Sequence, residues 1–259
     1  MSYATQTLFM AIDKPLSSAQ REAAESLSSR AVVTDRAARY IYHFGGGFRG
    51  NFQDMLTSGG FDAALWEDSA DSIKLAFSIP EELFPWSDFL PYFPQEEYPA
   101  IDIEAPLIDG RRLLTLSFNN EDGDGRWLEE NMGSLSELLP LRAALMNGDY
   151  RCLFLAWAAN RSALESREAM TPEELLAYPV PTVPPALSES SPELIAFCER
   201  FYVYEDDYNA YLPQSGTMNE VDYAPLLERL TTEDKDAWLL RLARAEGLLG
   251  AQFRRVLER

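Results

Sequence analysis

Residues 119–157, NNEDGDGRWLEENMGSLSELLPLRAALMNGDYRCLFLAW, decide how the chain is divided. Before this stretch, strand-like alternation is mixed with short helical patterns. After it only helical periodicity and Pro- or Gly-punctuated loops remain. The stretch opens on an acidic, Gly-rich turn and runs into three helical pieces. Pro140 stands at the first position of the second piece, which Asn147-Gly148 ends. Asp149 caps the third, where Leu153, Phe154 and Trp157 give an apolar face too broad for an exposed helix. That piece is expected to be the central helix of the C-terminal half. The fold class expected is α+β: residues 1–120 form a mixed or antiparallel sheet with helices on one face, and residues 121–259 form an all-α helical bundle.

Upstream, YATQTLFMAI (3–12) is expected to be a strand. A capping box at Ser17 and Gln20 then opens a helix. AVVTDRAARYIYHF (31–44) follows as a second strand, with a helical turn at 35–39 as the alternative start. GGGFRG (45–50) lies between strand and helix, but its spacing matches no phosphate-binding loop. Asn51 caps the next helix, with Asp54 three residues on. FDAALWED (61–68) is expected to continue that helix. SIKLAFSI (72–79) alternates cleanly and is the clearest strand. AIDIEA and RRLLTLSF are expected to pair as a hairpin across Asp109-Gly110.

Two segments put carboxylates beside large rings. Residues 81–104 hold seven acidic side chains, and 80–106 hold six prolines, which forbid a long helix or a central strand. Phe84, Trp86, Phe89 and Tyr92 lie among them. This segment either wraps the domain and buries its rings or offers them to a basic-apolar partner. The second segment, 202–211, carries Tyr204, Tyr208 and Tyr211 among acids. These seven aromatics are the candidate partner-binding residues. Downstream helices are expected to start at Thr171 (a capping box with Glu174), at Ser191-Pro192 and at Thr231, the last with an apolar stripe of Trp238, Leu239 and Leu242.

The chain has 42 Asp and Glu against 22 Lys and Arg, a formal net charge of −20. The excess is spread: 17 acidic and 9 basic residues run up to Phe118, and 25 and 13 lie beyond it. Such a field repels nucleic acid and anionic membrane and attracts basic partners. No apolar run approaches eighteen residues, and the N-terminal residues have no signal-peptide pattern. Cys152 and Cys198, the only cysteines, form no CxxC and suit free thiols in a cytoplasm.

No motif points to catalysis. His43 is the only histidine, and GxSxG is missing. Three scattered Cys and His side chains are too few for a structural zinc site. Asn120, Asp122, Asp124 and Gly125 fall at positions 1, 3, 5 and 6 of a calcium loop, but position 12 is Asn131 rather than Glu, so no metal and no cofactor are expected. Adjacent carboxylates are plentiful, as 42 acids make them by chance.

AIDKPL (11–16), LSSRA (27–31), FRG (48–50), LLPLRAAL (138–145), GDYRCLFLAW (148–157) and EDKDAWLLRL (233–242) resemble segments of a set of acidic bacterial proteins known only as hypothetical. The resemblance implies a cytoplasmic bacterial protein of one continuous architecture. It carries no catalytic motif, so it transfers no functional residue. Residues 80–106 and 45–47 are unlike that set. The leading functional expectation is a non-enzymatic adaptor or regulatory accessory protein that binds another protein through acidic, aromatic surfaces. The alternatives are an accessory factor of a bacterial defence locus (CRISPR-associated or anti-phage), an acidic decoy for a nucleic-acid-binding protein, and a carboxylate-based enzyme.

Overall fold

A computed structural model describes residues 4–43, 47–68, 72–94, 99–119, 135–167, 169–217, 221–244 and 246–257. In chain order the elements are β1 (Ala4–Met10), α1 (Ser18–Ser26), β2 (Val32–Val33), β3 (Ala37–His43), α2 (Phe52–Leu56), β4 (Ala63–Asp68), β5 (Ile73–Pro80), α3 (Trp86–Phe89), β6 (Ile101–Glu104), β7 (Leu107–Ile108) and β8 (Arg111–Phe118). Helices follow: α4 (Leu135–Met146), α5 (Arg151–Ser166), α6 (Pro172–Ala177), α7 (Pro192–Phe201), α8 (Glu205–Tyr208), α9 (Ala224–Leu227), α10 (Thr232–Ala243) and α11 (Leu249–Leu257). The fold is α+β, and among the described residues every strand precedes Asn119.

The sheet runs β2-β3-β1-β4-β5-β8-β6, with β7 also on β8, and every neighbouring pair is antiparallel. Asp109 and Gly110 both take positive φ, the geometry a two-residue hairpin turn needs, and they join β7 to β8 in the expected place. Residues 34–37 form a turn between β2 and β3, closed by Thr34 N–H donating to the Ala37 carbonyl, instead of the alternative helical turn. At the far edge, the Asn160 side chain of α5 accepts from Ile101 N and donates to Ile101 O, at 2.7 and 2.8 Å, and so satisfies part of the β6 edge.

Each sheet face is covered. Phe9, Tyr40 and Ala64 turn to one side, where α1, α2 and Phe48 close over them. Ala63, Leu65, Leu75, Phe77 and Leu116 turn to the other side and meet Leu138, Leu153, Phe154 and Trp157 of α4 and α5. The C-terminal helices thus complete the second layer of the N-terminal sheet. Arg142 of α4 stitches the layers together. Its guanidinium grips both Asp13 oxygens at 2.8 Å and donates to the Ser78 carbonyl at 3.0 Å. Asp62 accepts from Ile12 N, Asp13 N and Arg111 in the same cluster. A second buried link joins Glu67 of β4 to Arg200 of α7, which also reaches Glu137.

The capping boxes at Ser17, Thr171 and Thr231 form, and Asn51 caps α2. Four local expectations are corrected. FDAALWED is strand β4, flanked by β1 and β5 and buried on both faces, where burial overrides the helical preference of its alanines. Pro140 lies inside α4, five residues after Leu135. Asp149 stands one residue ahead of the cap, Tyr150, though it still accepts from Arg151 N. In α10 Trp238 packs on Phe253 with Arg241 over its ring, whereas Leu239 and Leu242 are exposed.

Candidate functional site

The seven candidate aromatics divide sharply. Phe84, Phe89, Tyr92 and Tyr211 are buried; for Phe84, Phe89 and Tyr92 this matches the first of the two readings of that segment, that it wraps the domain and buries its rings, and corrects the expectation that they present surface to a partner. Phe84 and Phe89 stack in parallel with centroids 3.8 Å apart, and Trp86 stands edge-on to Phe89 at 5.1 Å. Tyr92 donates its hydroxyl to the Thr182 carbonyl, and burial pushes that hydroxyl up to about 12. Tyr211 packs against Phe154 and Trp157. The prolines bend the segment onto the helical layer, so the rings fill the core: an α3 ring that faced solvent would forfeit about 1.5–3 kcal/mol of burial. Trp86 is 38% exposed, but Arg112 lies 4.9 Å over its ring and is itself paired with Glu81. That surface is already answered from within the chain.

Tyr204 and Tyr208 are different. They line a cleft of about 550 Å³ between α7, the loop 187–190 and the start of α8. One stripe of α7 forms its floor: Leu194, Ile195, Cys198, Glu199 and Tyr202, the last just past the helix end. Ile195 and Tyr204 are exposed, at 47% and 63%. Among the described residues, three glutamates, Glu189, Glu199 and Glu205, line the cleft, and no lysine or arginine does. Two arginines on the helices beside it are turned inward. Arg200 is engaged with Glu67 and Glu137, and Arg151 with Asp149 and the carbonyls of Ala186 and Glu189.

The local electrostatics agree. Burial, then the charges of Asp207 and Glu199, push the Cys198 thiol up to about 11. Burial, with Glu205 and Asp207 among the contributing charges, also raises the Tyr208 hydroxyl. Cys198 is therefore a poor nucleophile at neutral pH, and the cleft is suited to holding a cation beside apolar surface. In the sequence, rings among acids mark Tyr204 and Tyr208 but not Ile195, Cys198 and Glu199. The signal for these was present: PELIAFCERF carries more apolar residues than one buried face of a ten-residue helix can use.

Other candidates offer less. A smaller groove of about 330 Å³ between α1 and α2 is lined mainly by Ala19, Ala23, Leu27 and Met55, with Asp54 its one acid among the described residues. In the Asp13–Asp62 pair, burial alone would raise both carboxyls, but Arg142 overcomes this and holds Asp13 below its usual value, while Asp62 stays raised. Each of these oxygens has a partner, as in a structural network. Among the described residues no three His, Cys, Asp or Glu side chains converge as a metal site would require. The calcium-loop-like residues 120–131 lie outside the described residues, and so does part of the 45–50 loop. No helix among the described residues is long and apolar enough to cross a membrane.

Compared with known proteins, the chain matches no family model, no curated protein and no solved structure.

Proposed function

We propose that this chain is a non-enzymatic binding protein that engages a basic-apolar surface of another protein through the cleft formed by α7, the loop 187–190 and α8. One observation carries the reading. Among the described residues, an open, largely apolar cleft is lined by glutamates alone of the charged residues, while Arg200 and Arg151 beside it are paired elsewhere. Aromatic and aliphatic anchors supply buried area, and the carboxylates of Glu199 and Glu205 speed encounter with a cationic partner. Two cysteines that are not joined to each other support a cytoplasmic, reducing setting.

The test is capture from the native host by the wild-type chain, by Tyr204→Ala/Tyr208→Ala and by Trp86→Ala. The expected result is a partner that is lost or weakened at least tenfold with the cleft variant and retained with Trp86→Ala. Its association rate falls as salt rises, with a smaller effect on dissociation. If every recovered partner binds the double variant as tightly as wild type, the cleft is not the binding site.

A further inference from the structure

Given that the cleft is where a partner docks, we propose that its occupant is an extended basic segment of that partner, about four residues long. The segment lays aliphatic side chains on Leu194 and Ile195 and directs arginine or lysine at Glu199 and Glu205. Length sets how many residues of extended chain the cleft holds. From Leu194 to Tyr202 the floor follows α7 and its C-cap for about 12 Å at about 1.5 Å per residue. That distance matches about four residues of extended chain at about 3.3 Å each.

Charge decides for a basic one. Glu199 and Glu205 are exposed and have no hydrogen-bonding or ion-pair partner for their side chains among the described residues. An acidic segment would meet two unpaired carboxylates. A second copy of this chain, at net charge −20, would be repelled before contact. Tyr204 and Tyr208 add ring faces of the kind on which guanidinium groups stack. The flanking αL conformation of Tyr202, with φ 54, turns the chain sharply out of α7 and sets the aromatic wall against the floor.

The experiment uses a phage-displayed library of random octapeptides, panned on the full wild-type chain and on Glu199→Gln/Glu205→Gln. Both substitutions are at exposed positions, and equal urea midpoints for the two proteins establish that the fold is kept. The expected sequences carry Arg or Lys within two residues of Leu, Ile, Val or Met. The strongest of them, synthesised, binds the double variant at least tenfold more weakly and wild type more weakly at 300 mM than at 50 mM salt. A second variant, Ile195→Ser, weakens the same peptide without changing its salt dependence. The proposal is overturned if no sequence is enriched, if the enriched peptides are neutral or acidic, if the double variant binds them equally, or if spermine alone outcompetes them. Neutral peptides that still depend on Tyr204 and Tyr208 would remove the basic segment and leave the cleft as a protein-binding site. Captured partners indifferent to every cleft residue would remove both.

Discussion

Replacing Arg142 by leucine is expected to lower the stability of the fold by about 3–5 kcal/mol, the cost of leaving a buried charge without its partner. Arg142 is 2% exposed, and it binds Asp13 through two bonds while reaching Asp62 at 3.5 Å. Without it, two largely buried carboxylates share Arg111, which is 30% exposed and lies 3.5 Å from Asp13. Against a total stability of about 5–15 kcal/mol that loss is large. The pH dependence identifies the cause. In the wild type, Asp13 is held below its usual 3.8, so its contribution is present above that value and fades only as pH falls through the lower folded value. In Arg142→Leu, burial is expected to raise Asp13 as it already raises Asp62 in the wild type, so protonation favours the fold. Urea midpoints should therefore show the largest deficit at pH 7 and a smaller one at pH 5. An equal deficit at both would mean that lost packing, not charge, is responsible.

Phe89→Ala is expected to cost about 3–5 kcal/mol, as for other buried aromatic rings cut back to alanine. For a chain of this size the melting temperature should fall by about 6–20 °C, at roughly 2–4 °C per kcal/mol. The ring is fully buried, stacked on Phe84 and bordered by Trp86 and Phe93. Differential scanning calorimetry reads this directly. Trp86→Ala, which removes a partly exposed ring and a contact with Arg112, should cost much less, about 1–2 kcal/mol. A Phe89→Ala protein as stable as wild type would mean that the segment does not belong to the core.

Much of the architecture was legible because local chemistry and tertiary packing agree. The loss of strand signals after Phe118, the capping boxes, the Asp109-Gly110 turn and the apolar run of α5 all act over a few residues. β4 was misread because it is buried on both faces. A strand of Ala63, Ala64 and Leu65 shows no alternation, and only the flanking strands β1 and β5 make it extended. The site was half legible for a related reason. Carboxylates beside rings mark both 80–106 and 202–211, yet composition does not say whether a ring turns inward. In the first segment Phe84, Phe89 and Tyr92 find room under the helical layer. In the second, α8 begins where α7 has just ended in an αL residue, and Tyr204 is left outside while Tyr211 reaches Trp157. The floor of the cleft was hidden because Ile195 and Cys198 are two more apolar residues in a helix already rich in them.

Amide hydrogen exchange tests most directly whether the cleft is the binding surface. The chain is measured alone and saturated with the partner recovered by capture. Protection is expected to concentrate in residues 187–190 and 194–208, with 80–94 and the exposed face of α10 exchanging as before. Protection confined to α10, to 80–94 or to the groove between α1 and α2, with 194–208 unchanged, would contradict it.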